Sequence, residues 1–323
     1  MTPNSKTLLA GLKNHDPRAI GRAISAVENN GDVAADLLAA LDQDLINKVL
    51  VLGITGPPGA GKSTLTSSLI TTLRRQNKRV GIIAVDPSSP ISGGAILGDR
   101  IRMMDHALDS DVVVRSMATR GRLGGLCASA GAAVRIMAAA GCETIIIETV
   151  GVGQSEMDII RLADITLMVL APGFGDDIQA MKAGLLEVAD FLVVNKSDLP
   201  GAEALCMDME HIFSSKQEEN GIARVLQTVA SEDKGINELL AGVDTFAHYL
   251  ETSGIKEKRR GKALDAETLD WIIEMLRPCF VQAMKDDPCN KDPRIRAKKL
   301  INTILASQDS FNNNFKKRHR EYK

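Results

Sequence analysis

The chain has 323 residues, of which 44% are hydrophobic and 25% are charged, the proportions of an ordinary globular protein. Lysine and arginine number 39 and the acids 41, and this net charge of −2 gives no electrostatic basis for a nucleic-acid partner. The five cysteines are scattered without a C-x-x-C pair, which argues against a disulfide framework and a zinc finger. We find neither an apolar signal segment nor a membrane-length apolar run, so we expect a cytoplasmic protein without a membrane partner.

The first 46 residues predict helices. Apolar side chains recur at spacings of three and four residues from Leu8 to Leu41, with a break at Asn30-Gly31-Asp32. We therefore predict a helical N-terminal extension over residues 1–46 that covers a sheet.

From residue 49 onward, short runs that are apolar at every position alternate with helix-like segments. Such runs are typical of parallel strands covered on both faces, and the alternation predicts an α/β fold with a doubly wound, mostly parallel sheet over residues 47–250. The runs are VLVLGIT (49–55), VGIIAV (80–85), VVV (112–114), TIIIET (144–149), ITLMVLA (165–171), FLVVN (191–195) and VLQTVA (225–230).

Residues 251–323 predict a helical C-terminal arm. They carry 17 Lys and Arg against 11 Asp and Glu, a net +6, and their apolar residues between Leu264 and Met284 keep a helical period. The arm is too short to build a core of its own, so we expect it to mediate dimerisation. The basic run KEKRRGK (256–262) predicts a solvated turn or helix end.

A phosphate-binding loop stands between the first predicted strand and a helix. The segment GPPGAGKST contains G-x-x-x-x-G-K-[ST], in which glycines let backbone N–H groups wrap phosphates, the lysine supplies a charge and the serine hydroxyl ligates Mg²⁺. The phosphate-binding candidates are Gly56, Pro57, Pro58, Gly59, Ala60, Gly61, Lys62, Ser63 and Thr64.

A second motif, NKSD, follows the strand FLVVN and predicts the choice of base. The carboxylate of Asp198 can accept two hydrogen bonds from the N1–H and N2–H₂ edge of guanine, which adenine lacks, and Lys196 can lay its stem over the base. Asn195 completes the motif. Backbone N–H groups after the next strand are expected to meet the guanine O6 at Val229, Ala230 and Ser231.

Three acids near expected strand ends are candidates for the Mg²⁺ shell and for catalysis. Asp86 follows VGIIAV, Asp99 lies in ILGDRIRM, and Glu148 ends TIIIE. Together with Ser63 we assign them to the metal, and we assign Lys62, Asp99 and Glu148 to catalysis.

The segment after Glu148 predicts a nucleotide-sensing switch. Gly151 stands where many GTPases have the glycine of D-x-x-G, whose N–H bonds the γ-phosphate. The next residue is Val152, which cannot orient water, and Gln154 comes two positions later. We therefore expect slow hydrolysis unless a conformational change or a partner completes the site.

With these residues placed, the sequence resembles the MeaB/ArgK (MMAA-like) family of SIMIBI-class P-loop GTPases. The resemblance covers about residues 50–200 and is carried by GPPGAGKST, VDPSSPISGGAILGDRIRM, RGRLGGL, IIETVGVGQSE, VLAPGFGDDIQAMKAGLLEVAD and VVNKSDL. It departs from the family pattern at TVASEDKGI, where relatives more often have a Ser-Ala opening.

The resemblance implies a homodimeric GTPase chaperone that uses GTP, GDP and Mg²⁺. Such proteins gate cofactor delivery to adenosylcobalamin-dependent acyl-CoA mutases, chiefly methylmalonyl-CoA mutase, and protect the mutase; an adenosyltransferase is a further candidate partner. The resemblance places Lys182 in a third switch segment that relays nucleotide state to the mutase. Val152 and Gln154 are the other candidate switch residues.

Two other functions stay open. A metal-insertion GTPase of the same class needs metal ligands, but the histidines are far apart and have no cysteine partners: His15, His106, His211, His248 and His319. A kinase of a transport protein needs a phospho-acceptor site, and we find no H-R-D-like catalytic base. The sequence does not select among acyl-CoA mutases.

Overall fold

The computed structural model of the protein describes residues 2–29, 32–86, 106, 108–118, 125–149, 161–173, 188–218, 224–286 and 292–306. The strands in these ranges are β1 (Leu50–Thr55), β2 (Val80–Asp86), β3 (Val112–Ala118), β4 (Thr144–Thr149), β5 (Ile165–Leu170), β6 (Phe191–Val194) and β7 (Val225–Gln227). The helices are α1 (Pro3–Lys13), α2 (Pro17–Glu28), α3 (Asp32–Ala39), α4 (Gln43–Lys48), α5 (Lys62–Arg75), α6 (Gly125–Ala139), α7 (Ala202–Glu218), α8 (Ile236–Thr252), α9 (Ile255–Asp286) and α10 (Pro293–Ala306).

The strands form one seven-stranded sheet in the order β3-β2-β4-β1-β5-β6-β7, and every pairing is parallel. This confirms the predicted α/β fold, and each of the seven apolar runs contains a strand. The last run is shorter than predicted: β7 stops at Gln227, because Val229 pairs with Lys234 in a local bridge and Ala230–Glu232 form a 3₁₀ helix.

The two faces of the sheet carry separate apolar layers. On one face, Val51, Ile83 and Ile147 pack with helices α1–α4 and α6, and a further cluster lies beneath α7. On the other face, Leu52 and Ile54 pack with α5 and α8. Burial on both faces is why the strands are apolar at successive positions.

The N-terminal helices form a cover on the sheet. Helix α2 begins after Asp16, whose side chain accepts a hydrogen bond from the Arg18 N–H at 2.9 Å. Its apolar face is buried, and His15 Nδ1 lies 2.7 Å from the Ala140 carbonyl oxygen after α6. The predicted helices are therefore confirmed, and they cover the sheet chiefly through α6, which packs on β2, β3 and β4. The domain boundaries at 46/47 and 250/251 stay predictions.

Two arginines attach the start of α9 to the amino-terminal edge of the sheet. Arg259 donates to both carboxylate oxygens of Asp190 at 2.8 Å, and Arg260 donates to those of Asp164 at 2.7 and 2.6 Å. Arg260 also donates to the carbonyl of Val49 at 2.6 Å. The prediction of a solvated KEKRRGK run is wrong at these two positions and at Lys256, which is buried and donates to Glu251 at 2.6 Å.

The physical reason lies in the carboxylates before β5 and β6. Asp164 and Asp190 are 2% and 3% exposed and accept the N–H groups of Val51 and Thr166, so each needs a cation. Burial lowers the pKa of the Arg259 guanidinium, but the hydrogen bonds and charge of Asp190 outweigh burial and the net pKa is raised.

Farther along α9, one side packs on α6 and the other is exposed. Glu267 is buried and receives two hydrogen bonds from Arg135, at 2.8 and 2.6 Å. By contrast, Leu264 and Leu269 are each 57% exposed, and Ile273 is nearly as open. None of the helices in the described ranges is both long and apolar enough to cross a membrane.

Candidate nucleotide-binding site

The phosphate loop joins β1, in the middle of the sheet, to α5. Gly56 has a φ of +140°, and a Cβ there would lie 2.1 Å from the Val169 carbonyl oxygen. Gly61 has a φ of +91°, and a Cβ there would lie 2.3 Å from Asn195 Nδ2. Both positions therefore require glycine, and the loop is packed closely against the ends of β5 and β6.

Lys62 is the first residue of α5 and is buried inside the loop. Its Nζ donates to the carbonyl oxygens of Gly56 at 2.7 Å and of Pro57 at 3.1 Å. The first turn of α5 contains no acidic residue. An ammonium group, a helix N-terminus and glycine-spaced N–H groups thus converge on one place, which is the arrangement that binds phosphate.

The carboxylate beside the phosphate loop is that of Glu148, which is 1% exposed. Its Oε1 accepts a hydrogen bond from Ser63 Oγ at 2.6 Å. β4, which carries Glu148, lies between β1 and β2, so Asp86 at the end of β2 is one strand farther away. The description does not include the Asp86 side chain.

Asn195 connects the phosphate loop to the loop after β7. Its Nδ2 donates to the Ala60 carbonyl at 3.0 Å. Its Oδ1 accepts from Thr228 Oγ1 and from the Ala230 N–H, both at 3.1 Å. Sequence reasoning placed Asn195 and the TVAS segment (228–231) at the nucleotide but missed the hydrogen bond from the Thr228 hydroxyl, whose only sequence signal is a hydroxyl just after a strand.

Lys196 and Asp198 lie at the rim of the same site. Lys196 has a φ of +56°, and its Nζ donates to the Gly59 carbonyl at 2.8 Å. Asp198 is exposed. The pKa of Lys234 is raised chiefly by a hydrogen bond to Glu232, and the nearby charge of Asp198 adds to the effect.

The predicted site residues fall into two groups. The structure brings the phosphate loop, Glu148, the NKSD motif and the 229–231 loop together at the carboxyl-terminal edge of the sheet. Val229 and Ala230 are buried there, and Ser231 is exposed. The remaining predicted residues lie outside the described residues: Asp99, Gly151, Val152, Gln154 and Lys182.

A parallel sheet with a phosphate loop after its central strand, joined through an N-K-x-D asparagine to a second loop, defines a P-loop GTPase. The sequence profile of the family described as methylmalonyl-CoA mutase-associated GTPase MeaB matches residues 20–287. The chain belongs to this family, whose members use GTP and GDP with Mg²⁺.

Individual relatives agree with the family assignment. A relative from Pyrococcus abyssi is 47% identical over 261 residues, which are 78% of this chain and 79% of that protein. GTPase ArgK of Escherichia coli is 35% identical over 271 residues, 81% of this chain and 80% of that protein. A crystal structure of a LAO/AO transport system kinase has a TM-score of 0.67 at 25% identity, covering 94% of this chain and 99% of that one.

Proposed function

We propose that the chain binds and hydrolyses GTP at this site and thereby gates the loading of adenosylcobalamin into an acyl-CoA mutase of the methylmalonyl-CoA mutase type, which it also protects. The observation that supports nucleotide binding is that Asn195 forms hydrogen bonds with both the phosphate loop and the loop after β7. The family description supports the mutase part. So does a mouse relative, the mitochondrial methylmalonic aciduria type A homolog, 29% identical over 337 residues (97% of this chain, 80% of that protein).

The phosphates are bound by the loop from Gly56 to Thr64. Its N–H groups and the N-terminus of α5 supply partial positive charge, and Lys62 supplies a full charge for the β- and γ-phosphates. Lys62 is already held at the loop by two backbone carbonyls, so little side-chain entropy is lost when a phosphate oxygen takes their place.

Guanine is selected by Asp198. Its exposed carboxylate accepts the N1–H and N2–H₂ groups, and the Lys196 stem covers the base. Of the three predicted N–H groups, those of Val229 and Ala230 donate to Lys234 and Asn195, so in this proposal the Ser231 N–H meets O6. Because adenine has an acceptor at N1 and no 2-amino group, it offers the carboxylate no matching donors.

The oxygen donors beside the phosphate loop suit Mg²⁺, which prefers hydroxyl, carboxylate and phosphate oxygens. Ser63 and Glu148 would hold the ion, with Asp86 and Asp99 as further candidates. When bound, Mg²⁺ neutralises charge on the β- and γ-phosphate oxygens. Among this chain's own groups, Lys62 stabilises the same charge, and Gly151 senses whether the γ-phosphate is present.

Hydrolysis by the chain alone is slow in this proposal, since Val152 cannot position water. Turnover should fall well below the enzyme median of about 10 per second. The mutase completes the site through the segments that contain Gln154 and Lys182. GTP hydrolysis followed under single-turnover conditions, with and without mutase, tests this step; fast hydrolysis without the mutase would contradict it.

The coupling has a thermodynamic test. A switch transmits nothing unless its two nucleotide forms bind the partner with different affinities. Titration calorimetry of the mutase against protein loaded with GDP or a non-hydrolysable GTP analogue should give different dissociation constants, and Lys182→Ala should reduce the stimulation of hydrolysis without changing nucleotide affinity. Equal affinities with no stimulation would leave a GTPase without this partner.

We also propose that the chain is a homodimer formed through α9 and α10, because both helices expose large apolar side chains such as Leu269, Ile273 and Ile301. Deleting the chain after residue 253 would confound a test, since it would strip Arg259 and Arg260 from buried carboxylates. Replacing Leu269 and Ile273 by Glu instead should give a monomer by sedimentation. Met207→Glu, at an exposed apolar position on α7, is the matched control.

A kinase of a transport protein is the second candidate, because the LAO/AO structural relative carries that title. It predicts transfer of the γ-phosphate to a protein acceptor. The GTPase proposal predicts free phosphate instead. Quantifying both products from γ-labelled GTP, in the presence of the mutase and of a candidate transport protein, separates the two functions.

A further inference from the structure

The loop after β7 is tied to helix α5 by Asp233. This residue ends the 3₁₀ helix with a φ of +55°, and its Oδ1 accepts a hydrogen bond from Ser68 Oγ. Its Oδ2 lies 3.4 Å from Arg75 Nη1. Resting on the proposed function, we propose that Asp233 is a positioning residue for guanine: it holds the 229–235 loop against α5 so that the Ser231 N–H keeps its place at the base O6.

The loop itself is a closed unit. The Val229 N–H donates to the Lys234 carbonyl at 3.1 Å, and the Lys234 N–H donates back at 3.3 Å. The Glu232 N–H also donates to the Val229 carbonyl, at 2.9 Å. Because these bonds fix the internal shape of the loop, its position over a nucleotide depends on its ties to the rest of the protein.

Two such ties stand at opposite ends of the loop. Asn195 accepts the Thr228 hydroxyl and the Ala230 N–H at the entry. Asp233 accepts Ser68 near the exit. The Asp233 tie therefore adds a second fixed point to the orientation that Asn195 and the buried Ala230 already give the loop. Ser68 belongs to the helix that begins with Lys62, so the second tie fixes the position of the 229–235 loop relative to the phosphate loop.

The Ser68–Asp233 bond is the strong part of this tie. Ser68 is 4% exposed, and a hydrogen bond from a buried hydroxyl to a carboxylate is charge-assisted. The ion pair with Arg75 joins two side chains that are 65% and 43% exposed, so it contributes little. Aspartate also tolerates the left-handed backbone that the position requires.

Asp233→Gly isolates the hydrogen bond, since glycine accepts a φ of +55° without strain. GDP should bind about tenfold more weakly, the size expected for one charge-assisted bond. The specific readout is a pair of analogues: 6-thio-GDP changes the O6 position alone, and IDP lacks the 2-amino group that Asp198 reads. The variant should lose discrimination against 6-thio-GDP and keep the wild-type discrimination against IDP. Asp233→Asn, which retains an acceptor oxygen, should restore part of the affinity.

Ser68→Ala removes the donor of the same hydrogen bond and should reproduce the loss of GDP affinity and of discrimination against 6-thio-GDP. This variant keeps the test valid if Asp233→Gly folds poorly. Thr71→Ala, which removes a hydroxyl bonded to the Ser67 carbonyl of the same helix, should bind GDP as the wild type does. Unchanged 6-thio-GDP discrimination in both the Asp233 and Ser68 variants would overturn the proposal, as would equal loss of both discriminations. Wild-type binding of ADP is the separate control: equal affinity for ADP and GDP would refute the guanine assignment itself.

Discussion

Charged side chains lie at both edges of the parallel sheet, but the two edges use them differently. At the amino-terminal edge, acids that precede strands are bonded to arginines of the same chain: Asp109 and Asp111 to Arg74, Asp111 to Arg79, Asp190 to Arg259 and Asp164 to Arg260. At the carboxyl-terminal edge, Lys62 and Lys196 donate to backbone carbonyls of the phosphate loop. Charge pairs anchor helices at the first edge, and at the second edge cationic groups are positioned for a ligand.

The topology accounts for this difference. In a parallel sheet with helical crossovers, helices begin at the carboxyl ends of the strands and end at the amino ends. The first edge therefore collects carbonyl groups, and Arg74 and Arg260 donate to such carbonyls, at Lys78 and Val49. The second edge collects N–H groups and suits anions. Substitutions at the first edge should change stability, and those at the second should change nucleotide affinity.

The largest effect is expected for Arg260→Ala. It leaves the Asp164 carboxylate buried without its cation, which costs about 3–5 kcal/mol of unfolding free energy. Urea unfolding measures this loss, while the GDP affinity of the folded variant should stay within about twofold of wild type. The control is Arg294→Ala, at a side chain that is 93% exposed, which should change stability by less than about 0.5 kcal/mol. A loss under about 1 kcal/mol for Arg260→Ala would contradict the anchoring role.

Lys62→Ala should show the opposite pattern. Losing charge-assisted bonds to the β- and γ-phosphates, worth about 1.5–3 kcal/mol each, should weaken binding of a non-hydrolysable GTP analogue about a hundred- to ten-thousandfold. The nucleotide-free protein should lose little stability. Thermal unfolding with and without this analogue separates the two effects, because the rise in Tm that the analogue induces should vanish. Lys258→Ala, at an exposed position of α9, should keep that rise.

Asp198→Asn tests the base-selecting part of the carboxyl-terminal edge. The amide replaces one acceptor by a donor, so GDP should bind about a hundredfold more weakly and xanthosine diphosphate more tightly than to wild type. Competition binding with both nucleotides measures the exchange, and stability should not change. Asp208→Asn, an exposed acid on α7, is the control. Loss of both nucleotides would indicate damage to the loop instead of altered recognition.

Gly131→Ala examines how α9 packs on α6. A Cβ at Gly131 would lie 2.4 Å from Glu267 Oε2, and two hydrogen bonds from Arg135 prevent that carboxylate from moving aside. We expect a loss of about 1–2 kcal/mol, although alanine is the better helix former by about 1 kcal/mol. Gly261→Ala has open space around its Cβ and should instead stabilise the protein by about 0.5–1 kcal/mol. Chemical denaturation of both variants gives the comparison, and equal effects would refute the close packing.

The smallest effect concerns acid stability. The hydrogen bond from Arg74 lowers the pKa of Asp109 below its ordinary value of 3.8. A carboxyl group whose pKa is lowered in the folded state stabilises the fold at pH values above its unfolded-state pKa. This contribution disappears as the pH falls through the folded-state pKa. Because Asp109 is 33% exposed, its share should be under about 1 kcal/mol. Urea unfolding of the wild type and of Asp109→Asn measures this share at about pH 7 and about pH 3. The difference between their unfolding free energies should be smaller at the lower pH.

The sequence by itself predicted the parts of this protein that depend on neighbours along the chain. Strand runs such as FLVVN, the glycine pattern of the phosphate loop and the N-K-x-D segment each encode a local conformation. Each run overlaps a strand, and both motifs stand where expected. The parallel, doubly wound character of the sheet also follows from the alternation of strands and helices.

Tertiary structure decided the contacts between distant segments. Arg260 and Asp164 are 96 positions apart, and Ser68 and Asp233 are 165 apart, so no local pattern could pair them. Helical periodicity also did not predict which apolar helix faces are buried, because it identifies such a face without identifying what packs on it. The face of α2 is buried among α1, α3 and α6, whereas much of the apolar surface of α9 stays exposed. Periodicity reflects the geometry of one helix, but burial depends on which other elements the folded chain brings to it.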